Sequence, residues 1–307
     1  PTRRSSDLLE LNRELLPLKA KGADYSKLFY KPEILGQEKE IRLNKDKDIL
    51  GGVLDKKLIS LCERLFLENK PIRIESEIKN TDRSTGVMLS GEICRRCGDG
   101  VLLEDTVLCK FKGIAGQSFG AFLAKGITFE LEGICNDYVG KGISGGKIIV
   151  YPDKKSSYSP GENVIIGNTS FYGAIAGEAY VSGVAGERFC IRNSGLYAVV
   201  EGVGDHACEY MTGGRVLVIG KTGKNFGAGM SGGIAYVYDE DGLFKQRCNL
   251  DMLALEPVKE EDKDIIYQLL RNHLKYTSSS KAGLLIGNME ESTKKIVRVI
   301  PLEYKRI

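Results

Sequence analysis

One pair of cysteines has the spacing of a metal-binding motif, Cys94-Arg-Arg-Cys97. A closed zinc site needs four ligands, and the chain offers neither a second CxxC pair nor a cluster of histidines to complete it. It has only two histidines, and its other six cysteines are irregularly spaced. The sequence therefore favours two unrelated thiols in a loop, as in a cytosolic protein with reduced cysteines. A zinc-binding module at Cys94 and Cys97 is the alternative.

Three glycine motifs have the spacing of a dinucleotide-binding loop. They are Gly140-Lys-Gly142-Ile-Ser-Gly145, Gly227-Ala-Gly229-Met-Ser-Gly232 and Gly202-Val-Gly204-Asp-His-Ala207. A dinucleotide site requires a strand before the motif and a helix after it. Strand-like runs follow the first two motifs instead, so we interpret them as part of a structural repeat. The segment Gly220-Lys-Thr-Gly-Lys224 likewise fails the GxxxxGK[ST] pattern of a phosphate loop.

Polar residues cluster beside these glycines without forming a catalytic set. They are Asn136-Asp137, Glu187-Arg188, Arg192-Asn193, Asp205-His206 and Glu209. They could line a binding groove, but Asn and Asp also tolerate left-handed backbone and bond turn peptides, and we favour that interpretation. His206 has an acidic neighbour but no nucleophile, and His273 falls in a helical segment. The sequence therefore predicts no catalytic, cofactor-binding or metal-ligating residue in this chain.

The elements that position these residues repeat along the chain. Residues 113–242 hold 27 of the 37 glycines, and short β-branched or aromatic runs follow six of them. The runs after Gly177, Gly195, Gly214 and Gly233 start 18, 19 and 19 residues apart. One strand per repeat of this length predicts a mainly β fold, a single-stranded right-handed parallel β-helix with flanking helical segments.

Within this β-helix, glycines are expected to turn corners with positive φ. Val199, Val218 and Val237 are expected to stack in an interior column. The gap from Gly146 to Gly177 is longer than the others, at 31 residues, and contains a polar insertion over residues 153–162. We interpret this insertion as a loop.

The flanking regions read as caps of the stack. Residues 55–69 predict an amphipathic helix, with an apolar face made of Leu58, Leu61, Cys62, Leu65 and Phe66. A strand is predicted to start at residues 72–75. After Pro257 a helix is predicted around residues 265–274 and broken at 277–280, and residues 296–300 read as a strand.

We therefore divide the chain into four parts. Residues 1–8 resemble an adapter-derived, non-native segment. Residues 9–80 are a linker and capping segment with a helix, residues 81–245 are the Gly-rich parallel β-helix, and residues 246–307 are a C-terminal helical cap with a short strand.

The charge of the chain gives no reason to expect nucleic acid or an anionic membrane as a partner. Lys and Arg number 44 against 41 for Asp and Glu, a net charge of +3. No run reaches the roughly 18 apolar residues of a spanning helix. We expect a cytoplasmic protein.

Eight ordered sequence blocks carry a resemblance to a known family. They are Asn80-Thr-Asp-Arg-Ser84, Ala115-Gly-Gln-Ser-Phe-Gly120, Asn136-Asp-Tyr-Val-Gly-Lys-Gly142, Ile166-Gly-Asn-Thr169, Ala185-Gly-Glu-Arg-Phe189, Arg192-Asn-Ser-Gly195, Cys208-Glu-Tyr-Met-Thr-Gly-Gly214 and Asn225-Phe-Gly-Ala-Gly-Met230. From about Leu9 to its end, the chain resembles the C-terminal GXGXG domain of the glutamate synthase large subunit. The resemblance implies a right-handed parallel β-helix.

The resemblance also implies a role in an iron–sulfur flavoenzyme that converts glutamine and 2-oxoglutarate into two glutamates. The implied partners are the FMN-binding synthase domain and the glutamine amidotransferase domain, with a small subunit or ferredoxin as further candidates. In that family the β-helix domain carries out neither the amidotransferase reaction nor the synthase reaction. FMN and the iron–sulfur cluster belong to the parent enzyme. The chain lacks the amidotransferase Cys nucleophile, the FMN barrel and the three-cysteine cluster motif.

The resemblance thus predicts a non-catalytic structural domain, expected to be a fragment of the large subunit. The alternative is a stand-alone β-helix assembly subunit of an oxidoreductase similar to glutamate synthase or formylmethanofuran dehydrogenase.

Overall fold

The computed structural model describes residues 18–26, 50–68, 70–98 and 102–303. The chain divides into two units, residues 1–51 and 52–307. In the first unit, helix α1 (Leu18–Lys21) is followed by a turn in which the Tyr25 hydroxyl donates to the Ala20 carbonyl at 3.1 Å. The predicted non-native segment, residues 1–8, lies outside the described residues.

The second unit is a long series of strands, with helices near its start and at its C-terminal end. Its elements are α2 (Leu54–Leu61), α3 (Glu63–Glu68), β1 (Ile72–Ile78), α4 (Val87–Cys97), β2 (Val107–Ala115), β3 (Ile127–Cys135), β4 (Ser144–Tyr151), β5 (Val164–Ile166), β6 (Ala176–Ala185), β7 (Ser194–Val203), β8 (Thr212–Val218), β9 (Gly232–Tyr238), α5 (Phe244–Arg247), β10 (Leu253–Pro257), α6 (Glu260–Thr277), α7 (Ser280–Gly287), α8 (Met289–Lys295) and β11 (Ile296–Pro301).

The strands stack in chain order as a parallel β-solenoid of about seven turns, which confirms the predicted fold class. The order is β1-β2-β3-β4-β6-β7-β8-β9, and the short β5 pairs with β3 and β6. The antiparallel strands β11 and β10 then close the C-terminal end. The sheet begins at Ile72, before the expected boundary at residue 81, and it continues past residue 245 through the last two strands.

Apolar side chains stack in columns inside the coils. One interior column consists of residues in direct register, Val150, Val181, Val200, Val218 and Val237. The prediction that Val199 joins this column was wrong. Val199 pairs with Leu217 on the opposite face of the sheet, because adjacent residues of a strand point to opposite sides.

Six successive corners, from residues 118–122 to residues 225–229, have a left-handed residue at every second position. In residues 138–142, the first, third and fifth positions have φ of 61°, 60° and 63°. Their N–H groups donate alternately to the following coil at 2.9 and 2.8 Å and to the preceding coil at 2.9 Å. The corner therefore continues the hydrogen-bond ladder of the strands.

Glycine is only one of the residue types that hold these left-handed positions. In residues 188–192, the equivalent positions are Arg188, Cys190 and Arg192, with φ of 60°, 57° and 54°. The prediction that glycines turn the corners therefore holds for only some of the left-handed corner positions. Hydrogen bonds from both neighbouring coils fix the backbone, and they offset the roughly 1–2 kcal/mol cost of left-handed backbone at a residue with a Cβ atom.

Helix α6 covers the outer face of the sheet from β9 to β4. Its Asp262 accepts a hydrogen bond from Tyr236 of β9 at 2.6 Å, and its Asn272 donates to Tyr180 of β6 at 2.9 Å. Near its end, the Tyr276 hydroxyl lies 3.4 Å from Lys147 Nζ of β4. A second apolar cluster, separate from the interior of the coils, fills the space beneath the helix.

The C-terminal predictions agree with the structure, whereas the N-terminal helix differs. Helix α6 ends at Thr277, and β11 occupies the predicted strand. The helix predicted over residues 55–69 is two helices with a break at Cys62. The prediction that Leu61 belongs to the buried face was wrong, since its side chain is 46% exposed. Leu58, Cys62 and Leu65 are buried at helical spacing across the break, so the rest of the predicted apolar face continues through it.

Candidate functional site

The GxG motifs lie at the coil corners, where neighbouring coils fill the space around the glycines. A Cβ atom added to Gly140 would lie 2.5 Å from the ring of Phe171, and one added to Gly229 would lie 2.5 Å from that of Tyr210. Strands β4 and β9, not helices, follow the two GxGxxG motifs. These glycines therefore let aromatic side chains of adjacent coils pack against the backbone.

Polar residues at the corners bond the backbone of the next coil. Asp137 Oδ1 accepts from the N–H of Asn168 at 2.7 Å, and Asp205 Oδ1 accepts from that of Lys224 at 2.7 Å. A Cβ atom on Gly223 would lie 2.3 Å from the same Asp205 oxygen. Glycine thus lets the carboxylate reach the backbone. These contacts agree with the interpretation of the corner residues as turn-stabilising groups.

Other predicted corner residues join equivalent positions of successive coils. The Arg192 guanidinium lies 5.9 Å from the ring centroid of Tyr210. His206 Nδ1 lies 3.1 Å from Asn225 Nδ2 and 3.7 Å from Glu209 Oε1. These side chains contribute to coil stacking.

A buried polar cluster connects the solenoid to the junction of α6 and α7. The side chain of Glu201 is 4% exposed and that of His273 is fully buried. Glu201 Oε1 accepts hydrogen bonds from Ser182 Oγ at 3.1 Å and from Ser279 Oγ, and His273 Nε2 lies 3.4 Å away. The cluster joins β6 and β7 to the helical cap.

Glu201 is held in its ionised form. Burial alone would raise the pKa of Glu201, but its hydrogen bonds with His273, Ser279 and Ser182 lower it below its ordinary value of 4.5. His273 Nδ1 is buried and has no hydrogen-bond partner among the residues that the structure describes. Sequence analysis placed His273 in a helix as a structural residue, and it lies in α6 within this cluster.

A second buried cluster fixes the start of α6 against the C-terminal strands. Arg298 of β11 donates to Glu256 Oε2 of β10 at 2.8 Å. Its Nε lies 3.0 Å from Asp262 Oδ2, close enough for an ion pair but without hydrogen-bond alignment. Asp262 also accepts from the Tyr236 hydroxyl and from the backbone N–H of Lys259.

A third cluster lies at the other end of α6. The buried Lys147 Nζ is 3.2 Å from Asp105 Oδ1, which also accepts from the Thr128 hydroxyl at 2.6 Å. Burial acts to raise the pKa of Asp105, but the Thr128 hydrogen bond and the Lys147 charge outweigh it and lower the pKa. All three clusters connect secondary-structure elements of the described part of the chain.

The cysteine pair lies on a helix, not in the predicted loop. Cys94 and Cys97 belong to the last turns of α4, and both are partly buried. Burial raises the pKa of Cys62 to about 11 and that of Cys248 to about 12, so these thiols are protonated. Within residues 18–26, 50–68, 70–98 and 102–303, no three His, Cys, Asp or Glu side chains form a group that could hold a metal ion.

Sequence reasoning missed Glu201, Arg298, Asp262 and Lys147. A usable signal existed for two of them, since Glu201 and Arg298 are single charges inside otherwise apolar strands. A lone charge in such a strand indicates a buried partner elsewhere in the chain. The partners themselves lie 72 and 42 positions away, at His273 and Glu256, and only the fold identifies them.

None of the helices in the described ranges is both long enough and apolar enough to cross a lipid bilayer.

Comparison with known proteins gives consistent matches. The model of the GXGXG motif family matches residues 55–302. The NADH glutamate synthase of Schizosaccharomyces pombe is 50% identical over 255 residues, which cover 83% of this chain and 12% of that protein. The NADPH glutamate synthase large chain of Bacillus subtilis is 48% identical over 295 residues, covering 94% and 19%. A ferredoxin-dependent glutamate synthase of Cyanidium caldarium is 41% identical over 266 residues, covering 85% and 17%.

The chain therefore spans less than a fifth of the length of these relatives, and the family match covers every strand of the solenoid from β1 to β11. The corner geometry explains what the family motif records, a left-handed residue at every second corner position. On the extent of this match, the chain belongs to the GXGXG motif family, in the region that this family shares with glutamate synthase large chains.

Proposed function

We propose that this chain is the non-catalytic architectural domain of a glutamate synthase, an enzyme that forms two glutamates from glutamine and 2-oxoglutarate. The observation that carries the proposal is the use of the polar side chains. The Glu201, Arg298 and Lys147 clusters fasten α6 to the sheet, and the corner residues fasten each coil to the next.

The residues that the structure describes do not fit the cofactors of such an enzyme. An iron–sulfur cluster requires several cysteine ligands together, and the described residues contain no group of three potential metal ligands. A nucleotide loop requires open space above its glycines, and Phe171 and Tyr210 fill that space at Gly140 and Gly229. FMN and the iron–sulfur cluster therefore belong, in this proposal, to other domains of the enzyme.

A solenoid suits a spacing role because its length is set by its backbone. Strands stack about 4.8 Å apart, so seven turns form a rod on the order of 30 Å long. The proposed partners are the synthase domain and the amidotransferase domain of the same enzyme, with the rod fixing the distance between surfaces that dock on it. A cytoplasmic location is part of the same proposal.

The test is an assay of glutamine-dependent glutamate formation. The chain alone is expected to show no turnover with glutamine, 2-oxoglutarate and a reductant. Turnover by the chain alone would refute the proposal. If the chain added as a separate polypeptide restores activity to an enzyme that lacks this region, the alternative of a stand-alone assembly subunit gains the support instead.

A further inference from the structure

A cavity of about 440 Å³ lies between the solenoid and the helical cap. Its floor is buried and polar, with Glu201 of β7, Ser182 of β6 and Ser279 at the start of α7. Its rim carries exposed side chains, among them Lys154 and Tyr158. Four segments distant in the sequence thus converge on one carboxylate.

The two oxygens of that carboxylate have different environments. All three polar contacts of Glu201, from Ser182, Ser279 and His273, are made to Oε1. No hydrogen bond from the described residues reaches Oε2. Oε2 is directed toward Gly161, where an added Cβ atom would lie 3.8 Å from it. Glu201 lines the cavity, so the oxygen that its protein partners leave free is the one available to a ligand.

The wall of the cavity comes from the insertion that interrupts the repeat. Residues 153–162 lie in the single long gap between Gly146 and Gly177, and five of them line the cavity: Asp153, Lys154, Ser156, Tyr158 and Pro160. A β-bulge between Val181 and Val184 accompanies Ser182 at the floor. Bulges redirect side chains and irregular loops on rigid scaffolds carry binding sites, so two departures from the repeat meet here.

The chemistry of the floor selects a donor with a positive charge. A carboxylate oxygen that reaches the space of the cavity can accept a hydrogen bond there, and a cationic donor makes that bond charge-assisted and stronger. The space exceeds the roughly 30 Å³ of one water molecule many times, and the described residues supply no group of three metal ligands. The wall carries Lys154 and Lys275 against Glu130 and Asp153, so these four side chains add no net charge and Glu201 remains as the further acidic group of the cavity.

We propose that this cavity binds a small molecule with a single primary ammonium group, which donates to Glu201 Oε2. The hydroxyls of Ser182, Ser279 and Tyr158 supply further polar contacts for the rest of the ligand. The test of this proposal is independent of the architectural role, because ligand binding is measured on the chain without any other domain.

The test is isothermal titration calorimetry of the full chain with propylammonium chloride, at an ionic strength held constant with sodium chloride. 1-Propanol serves as the uncharged probe of similar size. We expect saturable binding of propylammonium at one site and none of 1-propanol. Glu201→Gln is expected to weaken the binding about tenfold or more, since it removes a charge-assisted hydrogen bond. Glu75→Gln, which changes an exposed carboxylate of β1 outside this cavity, is expected to leave binding unchanged.

Circular dichroism shows whether Glu201→Gln retains the fold. A second variant keeps the proposal testable if Glu201→Gln does not fold. Tyr158→Arg changes an exposed rim residue and adds a positive charge at the mouth of the cavity. It is expected to weaken propylammonium binding several-fold while the melting temperature stays unchanged. Absence of saturable binding by the natural chain, or equal binding by the natural chain and Tyr158→Arg, would overturn the proposal.

Discussion

The outer face of the sheet is open and charged over β1–β3 but covered and apolar over β4–β9. One outer column in direct register crosses both parts, and it consists of Glu75, Lys110, Glu130, Ile149, Tyr180, Val199, Leu217 and Tyr236. The first three are charged, and Lys110 pairs with Glu130 at 3.0 Å. The last five are buried beneath the helical cap.

The comparison shows that the same type of coil accommodates either a charged outer face open to solvent or an apolar outer face covered by a helix. The parallel ladder and the left-handed corners continue from one part to the other, with register shifts in each ladder from β4 to β9 and none from β1 to β4. Helix α6 also has the right length for its half. From Asp262 to Tyr276 it rises about 21 Å, and the four strand steps from β9 to β4 span about 19 Å.

The largest expected effect comes from placing the same residue in both parts of the outer column. Leu217→Asn is expected to destabilise the protein by about 4 kcal/mol, because it removes buried apolar contacts and leaves an amide without a partner. Lys110→Asn, in the open part, is expected to cost about 0.5 kcal/mol, as for an exposed ion pair. Urea denaturation of both variants measures the difference. Equal losses would contradict the distinction between the two parts.

The next effect separates buried ion pairs from exposed ones. Arg298→Met is expected to cost about 3 kcal/mol, since it leaves Asp262 and Glu256 buried without their cation. The matched change in the open part is Lys112→Met, which removes an exposed pair with Glu132. That variant is expected to lose less than about 1 kcal/mol in the same denaturation experiment. A loss below that of Lys112→Met would show that the Arg298 cluster does not fix α6.

A smaller effect tests what the two parts share. Gly116→Ala in the open part and Gly223→Ala in the covered part are each expected to cost about 2 kcal/mol by overpacking. The new Cβ atom would lie 2.6 Å from the Asn80 carbonyl in the first and 2.4 Å from the Asp205 nitrogen in the second. Gly91→Ala, in the open space along α4, is expected to stabilise by about 0.5–1 kcal/mol. Thermal unfolding that separates the two corner variants widely would show that the corners are not equivalent.

The smallest effect is a pair of opposite pH dependences. The pKa of Glu201, in the covered part, lies below its ordinary value of 4.5. Burial raises the pKa of Asp55, near the first coil, above 3.8, although the backbone N–H groups of Gly86, Leu89 and Met88 act to lower it.

The signs of the two effects follow from these directions. Glu201 contributes stability that is present above pH 4.5 and is lost as the pH falls through the lowered folded-state value. Asp55 binds its proton more tightly in the folded state, so its contribution grows as the pH falls through the raised value.

The advantage of the natural chain over Glu201→Gln is therefore expected to shrink on acidification. Its advantage over Asp55→Asn is expected to grow. Urea denaturation from about pH 7 to about pH 3 checks both slopes. Parallel slopes for the two variants would contradict this assignment.

The repeat made the solenoid predictable from the sequence, because glycine spacing and β-branched runs report a local backbone pattern. Two features of the solenoid could not be predicted from the sequence. Val199 was placed in the wrong column because a one-residue register shift reverses the face of a strand. The left-handed conformation of Cys190 and Arg192 was also missed, since it is imposed by hydrogen bonds from neighbouring coils and not by residue type.

The candidate site was less predictable than the fold. Glu201 is one acidic residue in an apolar strand, and its partners Ser182 and Ser279 are common residue types with no distinguishing spacing. Residues 153–162 were recognised as a loop, but the cavity beneath them depends on how the helical cap is seated. Local pattern thus specifies the coil, and long-range packing specifies the site.

The direction of α6 has a mechanical consequence. Hydrogen bonds between coils point along the stack, so a pull on its two ends would load them one rung at a time and unzip the rod from its weaker end. Helix α6 lies along the same direction and is anchored at β9 by Asp262 and at β4 by Tyr276. Helix α6 therefore restrains the coils of β4–β9 against separation. The coils of β1–β3, which α6 does not cover, are expected to separate first when the stack is pulled at its ends.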